Sequence, residues 1–246
     1  MERVRIPIKG KMISVLKGSN LPLFYIHGSG CDAEIWLRQL EEIGGYAIDL
    51  PNHGESEKTE IRSVEDYAEF VAEVVRRISG KGVIVGHSLG GAIAQVVYFK
   101  HSNVVRALVL LSTGARLRVL PELLEGLEKN PDEMVKMAAN MAFAKKDFLK
   151  EYEEIFRKRA KILLEDLKIC NKFDLLEDFR SGKLKFSVPT IAVVGERDVL
   201  TPVKYSQFFT NFGAELRVIK EVGHMVMLEA PDELNQIIRE FLEKLS

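Results

Sequence analysis

The sequence predicts an α/β fold in which a mostly parallel sheet is flanked by helices. Short runs of apolar and β-branched residues recur along the chain, and several are apolar at nearly every position, which is typical of strands buried on both faces. Helical patterns lie between these runs, and this alternation is characteristic of the α/β class. The length of 246 residues suits one large domain or two small ones.

Seven runs have the composition of buried strands, and the charged segment that precedes them is strand-like as well. The runs cover residues 12–16, 21–26, 46–50, 83–85, 105–111, 189–194 and 216–219. Between them, residues 64–78 carry a clear 3.6-residue apolar stripe, and Ser63 with Asp66 has the spacing of a helix-capping box. The final stripe begins at Pro231, a residue type favoured in the first turn of a helix. Both segments are therefore predicted to be amphipathic helices.

One long stretch, residues 116–184, interrupts the alternation of strands and helices. It contains no convincing strand, and its charged, helix-forming segments lie at 122–129, 132–144, 147–169 and 174–180. An insertion of this length between two strands predicts a separate helical subdomain. We therefore expect a core domain built from residues 1–115 and 185–246 and a helical subdomain built from residues 116–184.

Composition and charge disfavour several classes of protein, among them nucleic-acid-binding, disulfide-rich and membrane-spanning proteins. The chain has 35 Lys and Arg against 36 Asp and Glu, and this balance disfavours a dedicated nucleic-acid-binding protein. Cys31 and Cys170 are too far apart in sequence for a metal-binding motif or a disulfide framework, which predicts two free thiols in a reducing compartment. No apolar run is long enough to span a bilayer, and the N-terminal segment lacks the apolar core of a signal peptide. We expect a cytoplasmic protein.

A candidate nucleophile follows one of the buried strands. The sequence Gly-His-Ser-Leu-Gly at residues 86–90 comes directly after the strand at 83–85 and before a helical segment at 92–100. A serine at such a turn is held in a strained conformation that exposes its hydroxyl, and the two glycines prevent collisions with neighbouring backbone. We therefore predict that Ser88 is a nucleophile and that the Leu89 amide faces developing negative charge. The alternative is a glycine-rich turn with a purely structural role.

A serine nucleophile needs a base, and the base needs a carboxylate that orients it. Among the five histidines, His224 follows the strand at 216–219, while Asp198 follows the strand at 189–194. The carboxyl ends of parallel strands share one edge of a sheet, so both side chains should meet Ser88 there, in the chain order Ser, Asp, His. The alternative role for Asp198 is that of an ordinary turn or helix-capping residue.

A glycine-rich loop is the candidate source of further backbone donors. The sequence His-Gly-Ser-Gly begins at His27, immediately after the strand at 21–26. Such a loop can turn its amides toward the serine, so we predict that Ser29 supplies the second oxyanion-hole N–H group besides Leu89, with Gly30 as the nearest alternative. His27 is expected to brace the loop rather than to react.

The same loop also imitates a dinucleotide-binding fingerprint. Gly28, Gly30 and Ala33 have nearly the required spacing after a strand, and Asp49 lies at the end of the following strand. This alternative requires the loop to open the fold, but another apparent strand precedes it. It also leaves the serine, aspartate and histidine described above without a role.

Together these motifs resemble the α/β-hydrolase superfamily over essentially the whole chain. The His-Gly-Ser-Gly loop resembles its oxyanion loop, residues 49–56 resemble the turn after its fourth strand, and residues 86–91 resemble its nucleophile elbow. Residues 195–198 and 223–231 resemble its acid and histidine loops. The resemblance implies an eight-stranded, mostly parallel sheet with a helical cap inserted after the sixth strand. Asn52 stands where glycine is more usual, and asparagine also accepts the left-handed backbone of a turn.

The resemblance implies a serine hydrolase that cleaves carboxylic esters of small to medium acyl chain through an acyl-enzyme. The implied triad is Ser88, His224 and Asp198, and the implied oxyanion donors are the amides of Ser29 and Leu89. The implied partner is a small-molecule ester, with no metal, organic cofactor, nucleic acid or membrane span, and either a monomer or a homodimer is compatible. The same triad also serves hydrolysis of C–C bonds, thioesters or lactones, and perhydrolysis. The alternative from another class is a non-catalytic ligand receptor on this fold.

By the same resemblance, residues 116–184 would cover the active site. Some apolar residues of this segment should line an acyl pocket, whereas most should form the packing of the segment itself. The candidates are Met137, Met141, Phe143, Phe148, Phe156, Leu163 and Leu164.

Overall fold

The computed structural model describes residues 1–245, in which eight strands form one sheet. The strands are β1 Glu2–Ile8, β2 Lys11–Lys17, β3 Leu23–Ile26, β4 Tyr46–Ile48, β5 Gly82–His87, β6 Val105–Leu111, β7 Thr190–Gly195 and β8 Ala214–Ile219. Their order in the sheet is β1-β2-β4-β3-β5-β6-β7-β8. Strand β2 pairs antiparallel with β1 and β4, and every pairing from β4 to β8 is parallel. The predicted eight-stranded, mostly parallel sheet is confirmed.

Helices connect most of the parallel strands. They are α1 Leu37–Glu42, α2 Val64–Ser79, α3 Leu89–Lys100, α4 Pro121–Lys129, α5 Pro131–Ala142, α6 Leu149–Lys158, α7 Ala160–Lys172, α8 Leu176–Arg180, α9 Val203–Phe208, α10 Val226–Glu229 and α11 Pro231–Glu243. Short 3₁₀ turns lie at Ala33–Trp36, Ser102–Val104, Lys146–Phe148 and Phe209–Phe212. Across residues 1–245, no helix combines the length and the apolar character needed to cross a lipid bilayer.

The buried side chains form two apolar cores, one on each face of the sheet. On β5, Ile84 joins the core that includes α2 and α3, whereas Val83 and Val85 join the core that includes α1 and α11. Successive side chains of a strand point to opposite faces, so a strand covered on both sides must be apolar at both sets of positions. This is why the central runs of the sequence are continuously apolar rather than alternating.

The predicted start of α2 is confirmed in detail. The Asp66 N–H donates to the Ser63 hydroxyl at 3.2 Å, and the Ser63 N–H donates to the Asp66 carboxylate at 3.1 Å, which completes the capping box. Such a box satisfies two backbone donors that the first turn of a helix leaves unpaired.

Asn52 has a φ of 73°, the left-handed conformation expected where a glycine is more usual.

The helices α4 to α8 lie between β6 and β7, as predicted for residues 116–184. The helix-forming segment predicted at 147–169 is helical but not continuous, because a 3₁₀ turn precedes α6 and the helical path breaks at Arg159, where φ is −114° and ψ is 16°. The apolar stripe hides this break, since the buried Tyr152, Phe156 and Leu163 keep helical spacing across it. The division of the chain into a core domain and a cap stays a prediction.

Candidate active site

Ser88 occupies the sharp turn between β5 and α3. Its φ of 53° and ψ of −114° lie in a region that side chains with a Cβ rarely adopt, so the backbone there is strained. A Cβ added at Gly86 would lie 2.2 Å from the carbonyl oxygen of Gly90, and one added at Gly90 would lie 2.3 Å from that of Ile26. The strained turn expected around Ser88 is therefore present, and its glycines leave no room for a side chain.

Substitution of Gly86 by alanine should destabilise the protein by about 3 kcal/mol, because the added methyl group collides with backbone that cannot move independently. Gly182→Ala is the matched control, since Gly182 has a φ of 76° but nothing within 4 Å of an added Cβ. The control should cost only about 1 kcal/mol of left-handed strain. Urea unfolding measures both free energies, and equal losses would contradict the close approach described here.

His224 and Asp198 form a buried pair at the carboxyl edge of the sheet. Nδ1 of His224 lies 2.9 Å from Oδ2 of Asp198. The other carboxylate oxygen, Oδ1, accepts the N–H groups of Leu200 at 2.9 Å and Thr201 at 2.8 Å. The Thr201 hydroxyl donates to Oδ2 at 2.8 Å. The two roles considered for Asp198 thus coexist, because one oxygen holds the turn and the other faces the imidazole.

The surroundings of Asp198 favour its ionised form. Burial opposes the charge, but His224 and the donors of Thr201 outweigh it and hold the pKa of the carboxyl below its ordinary value. A carboxylate at this distance accepts a hydrogen bond from Nδ1–H, and in the neutral imidazole this favours the tautomer whose lone pair lies on Nε2. The pair therefore presents a base of fixed tautomer.

His87 supports the backbone of His224 and is not arranged as a second base. Its Nε2 donates to the carbonyl oxygen of His224 at 3.0 Å, and the two rings lie 4.7 Å apart. Burial and then the neighbouring His224 hold the pKa of His87 well below its ordinary value. A Cβ at Gly28 would lie 2.7 Å from Nδ1 of His87 and 3.2 Å from the Cβ of Ser88, so the glycine-rich loop passes close beside the serine.

The structure separates the two candidate oxyanion donors of this loop. The Gly30 N–H donates to Oδ2 of Asp166 at 2.9 Å and is therefore already engaged. The Ser29 N–H has no acceptor among residues 1–245, and Ser29 lines the same cavity as Ser88. Leu89 is the first residue of α3, and the first N–H groups of a helix have no acceptor within it. This arrangement favours Ser29 and Leu89 over Gly30, although their catalytic roles stay predictions.

His27 braces the loop, as expected. Its Nδ1 donates to the carbonyl oxygen of Gly28 at 2.9 Å, and its Nε2 accepts the N–H of Leu50 at 3.1 Å. Burial and then the neighbouring His53 lower the pKa of His27 to about 4, which keeps the ring neutral at physiological pH.

The surroundings of Asp49 exclude the alternative that the glycine-rich loop binds a dinucleotide. A ribose-binding carboxylate must face its ligand, but Asp49 is fully buried and its oxygens accept the N–H groups of Ala33 at 2.8 Å and Glu55 at 3.1 Å. Arg3 pairs with the same carboxylate at 2.6 Å. Asp49 therefore ties the N-terminal hairpin and two loops together.

Ser88 and His224 line one cavity of about 520 Å³, whose wall is mostly apolar. Of the seven predicted apolar candidates, those that line it are Met141, Phe156 and Leu163; those that do not are Met137, Phe143, Phe148 and Leu164. The prediction missed further apolar residues, namely Leu117, Val119, Leu120, Leu123, Leu167, Val199, Leu200, Tyr205 and Met225. Most of these lie in irregular segments or short turns, where no periodicity marks the side that faces a pocket.

Both cysteines lie in the wall of this cavity as free, buried thiols. Sγ of Cys170 lies 3.5 Å from the Ser29 hydroxyl. Burial raises the pKa of Cys31 and of Cys170 to about 12, so both thiols stay protonated and are poor nucleophiles. They contribute apolar surface to the pocket.

Comparison with known proteins identifies the family. The sequence model of the α/β hydrolase family matches residues 23–237. The chain is similar to a thermophilic esterase of known structure, with 50% identity, a TM-score of 0.98, and coverage of 100% of this chain and 98% of that one. It is also similar to Est816, described as an N-acyl homoserine lactone degrading enzyme, with 25% identity, a TM-score of 0.85, and coverage of 97% of this chain and 100% of that one.

Among curated proteins, the chain is 27% identical to protein ABHD8 of Bos taurus over 94% of its own length. It spans only 59% of that protein, and thus less than two thirds of its length. The family match covers most of the chain, and the similarity to the thermophilic esterase extends over all of it. The chain therefore belongs to the α/β hydrolase family.

Proposed function

We propose that the protein is a serine esterase that hydrolyses carboxylic esters of small to medium acyl chain. The observation that carries the proposal is the convergence of a half-buried serine on a strained turn and a buried histidine–aspartate pair on one apolar cavity. The 50% identity with a thermophilic esterase supports esters as the substrate class.

In the first half of the proposed reaction, the Ser88 hydroxyl attacks the ester carbonyl carbon while Nε2 of His224 takes its proton. The carbonyl electron pair moves onto oxygen, and the N–H groups of Ser29 and Leu89 stabilise the resulting oxyanion. Collapse of this intermediate breaks the bond to the alkoxy oxygen. The alcohol leaves with the proton from His224, and the acyl group stays on Ser88.

In the second half, water attacks the acyl-enzyme and gives its proton to His224. The same two N–H groups hold the second oxyanion, and its collapse returns the proton to Ser88 and releases the carboxylic acid. Asp198 remains ionised throughout and stabilises the imidazolium that exists in both halves. The protein's own side chains thus account for every proton transfer.

The volume of the cavity and its apolar lining support a substrate whose acyl chain is of limited length. A volume of about 520 Å³ lies within the range of pockets that bury small molecules. Met141, Phe156 and Leu163, all from the segment 116–184, supply part of its wall. We infer from this that residues 116–184 act as a cap whose inner surface holds the acyl group.

The chain-length profile tests this reading of the cavity. With p-nitrophenyl acetate, butyrate, hexanoate, octanoate and palmitate, kcat/KM should rise about threefold to fourfold per buried methylene, since each contributes about 0.8 kcal/mol. It should then fall once the chain exceeds the cavity. A profile that rises continuously to palmitate would contradict an acyl pocket of this size.

Two methionines of α5 provide a matched pair for the same assay. Met141 lines the cavity, whereas Met137 does not, and both are half-buried. Met141→Ala should move the optimum toward acyl chains about two or three methylenes longer, because it removes three heavy atoms from the wall. Met137→Ala should leave the optimum in place.

Hydrolysis of a lactone, an ester closed into a ring, is the second candidate function. The observation in its favour is the 25% identity with Est816 over nearly the whole chain. Both activities use the same steps, because a lactone leaves its alcohol attached to the acyl group. Direct comparison of kcat/KM for an N-acyl homoserine lactone and for an open-chain ester of equal acyl length distinguishes them.

We propose a cytoplasmic location from the state of the cysteines. Both are free and buried, as is usual for proteins of a reducing compartment. Cell fractionation tests this proposal, and recovery of the protein outside the cytoplasm would contradict it.

A further inference from the structure

We propose that Asp166, on α7, is a positioning residue that sets the geometry of the oxyanion hole. The inference rests on the proposed function, because it concerns the loop 28–31 that supplies the Ser29 N–H group. Asp166 is fully buried, although it belongs to a segment rich in exposed charges. A buried carboxylate of this kind is retained only when donors satisfy it.

Three donors from three parts of the chain converge on this carboxylate. Oδ2 accepts the Gly30 N–H at 2.9 Å and faces Nε2 of His53 at 2.8 Å. Oδ1 accepts the Tyr67 hydroxyl at 2.8 Å. Burial opposes protonation of His53, but the adjacent carboxylate raises the pKa of that ring above its ordinary value. The carboxylate therefore joins the glycine-rich loop, the turn after β4 and helix α2.

The bond to Gly30 completes the fixation of both peptide groups that flank Ser29. On one side, the Gly28 carbonyl accepts the N–H of Cys31 at 3.2 Å and Nδ1–H of His27 at 2.9 Å. In a trans peptide the N–H points opposite to the carbonyl, so this directs the Ser29 N–H away from those partners. On the other side, Asp166 holds the Gly30 N–H. Ser29 is thus clamped between two anchored peptide planes.

Packing places the loop directly against the helix that carries Asp166. Gly30 has a φ of 68°, and a Cβ added there would lie 3.1 Å from the Cβ of Leu163, which is also on α7. The loop and α7 therefore meet without an intervening side chain. Because the acceptor of Gly30 comes from this helix, the geometry of the oxyanion hole is tied to the position of α7.

The first test compares three variants in steady-state hydrolysis of p-nitrophenyl butyrate. Asp166→Ala removes the acceptor and should lower kcat by about 10- to 100-fold while KM changes less than about threefold, because the loop serves the transition state more than the ground state. Asp166→Asn offers one side-chain oxygen to Gly30 and should recover most of the lost kcat. Tyr67→Phe removes one bond to the same carboxylate without touching the loop, and its kcat should stay near that of the wild type.

The second test measures how well each variant stabilises the oxyanion, separately from how well it binds the neutral ligand. A trifluoromethyl ketone adds the serine hydroxyl and forms an oxyanion, whereas the matching methyl ketone binds largely without this addition. In Asp166→Ala the preference for the trifluoromethyl ketone should fall by the same factor as kcat, whereas in Tyr67→Phe it should be unchanged. Equal weakening of both ketones, or equal kcat in the two variants, would overturn the inference by showing a merely structural role.

Two further measurements distinguish a failure of this inference from a variant that does not fold and from a failure of the proposed function. If Asp166→Ala does not fold, Gly30→Ala provides a second test: it keeps the N–H group but places a methyl group 3.1 Å from the Cβ of Leu163. This should push the loop away from α7 and from Asp166, and so lower kcat with little change in KM. An unchanged kcat in a folded Gly30→Ala variant would overturn the inference. A wild type that hydrolyses esters, together with an Asp166→Ala variant of normal kcat, would reject this inference alone. A wild type without ester hydrolysis would reject the proposed function as well.

Discussion

Replacement of Ser88 by alanine should lower kcat for p-nitrophenyl butyrate by about five to six orders of magnitude and leave only the residual rate that substrate binding and the oxyanion donors support. The reason is that the acyl-enzyme cannot form without the hydroxyl, and neither His224 nor the oxyanion donors can replace it. Because alanine is smaller and the site is already built around a Cβ, the variant should fold and should still bind a substrate-like ketone.

The control for Ser88→Ala is Ser206→Ala. Ser206 is a buried serine of α9 that does not line the cavity. Its removal should leave kcat within about twofold of the wild type, so the comparison separates the loss of a nucleophile from the loss of any buried hydroxyl. Residual activity of Ser88→Ala above about one per cent of the wild type would mean that another group is the nucleophile.

The second largest effect is expected at Asp198. Asp198→Asn should lower kcat by about 10⁴-fold with little change in KM, because the amide NH₂ group would face Nδ1 of His224 and stabilise the wrong tautomer. The remaining amide oxygen can still accept the N–H groups of Leu200 and Thr201, which now bond to Oδ1. The turn should therefore persist, and thermal unfolding should show only a small loss of stability.

Thr201→Val is the control for the aspartate variant. It removes the hydroxyl that donates to Oδ2 of Asp198 but keeps the backbone N–H and the shape of the side chain. The expected loss in kcat is about tenfold, since one of several interactions that favour the carboxylate disappears. If Asp198→Asn lost no more activity than Thr201→Val, the carboxylate would not be the partner that orients the base.

Much of the fold could be predicted from the sequence because the strands and helices are determined by residues close together in the chain. The run around Ile84 is apolar at every position because both faces of β5 are buried, and Ser63 caps α2 through a residue three positions away. The break at Arg159 was not accessible, since the apolar stripe continues across it. Periodicity reports which side of a helix is buried, but it does not report whether the helical path is continuous.

The candidate site also contains some residues that the sequence predicts and one that it does not. Ser88, Asp198 and His224 each follow a strand, and the carboxyl ends of parallel strands share an edge, so their convergence follows from the order of elements. Asp166 gave no such signal. It lies 136 positions from Gly30 and 113 from His53 along the chain, and its sequence neighbourhood resembles any solvated helix face. Only the docking of α7 onto the loop shows that this charge is buried.

Covalent labelling tests the central claim most directly. The protein would be incubated with an alkyl p-nitrophenyl phosphonate, which phosphonylates activated serines, and followed by intact mass, peptide mapping and residual ester hydrolysis. We predict a single adduct on Ser88, loss of activity in proportion to labelling, and no adduct in Ser88→Ala. An adduct on a different residue, or unlabelled protein that binds the phosphonate without reacting, would contradict the account, and the second result would indicate a ligand receptor rather than an enzyme.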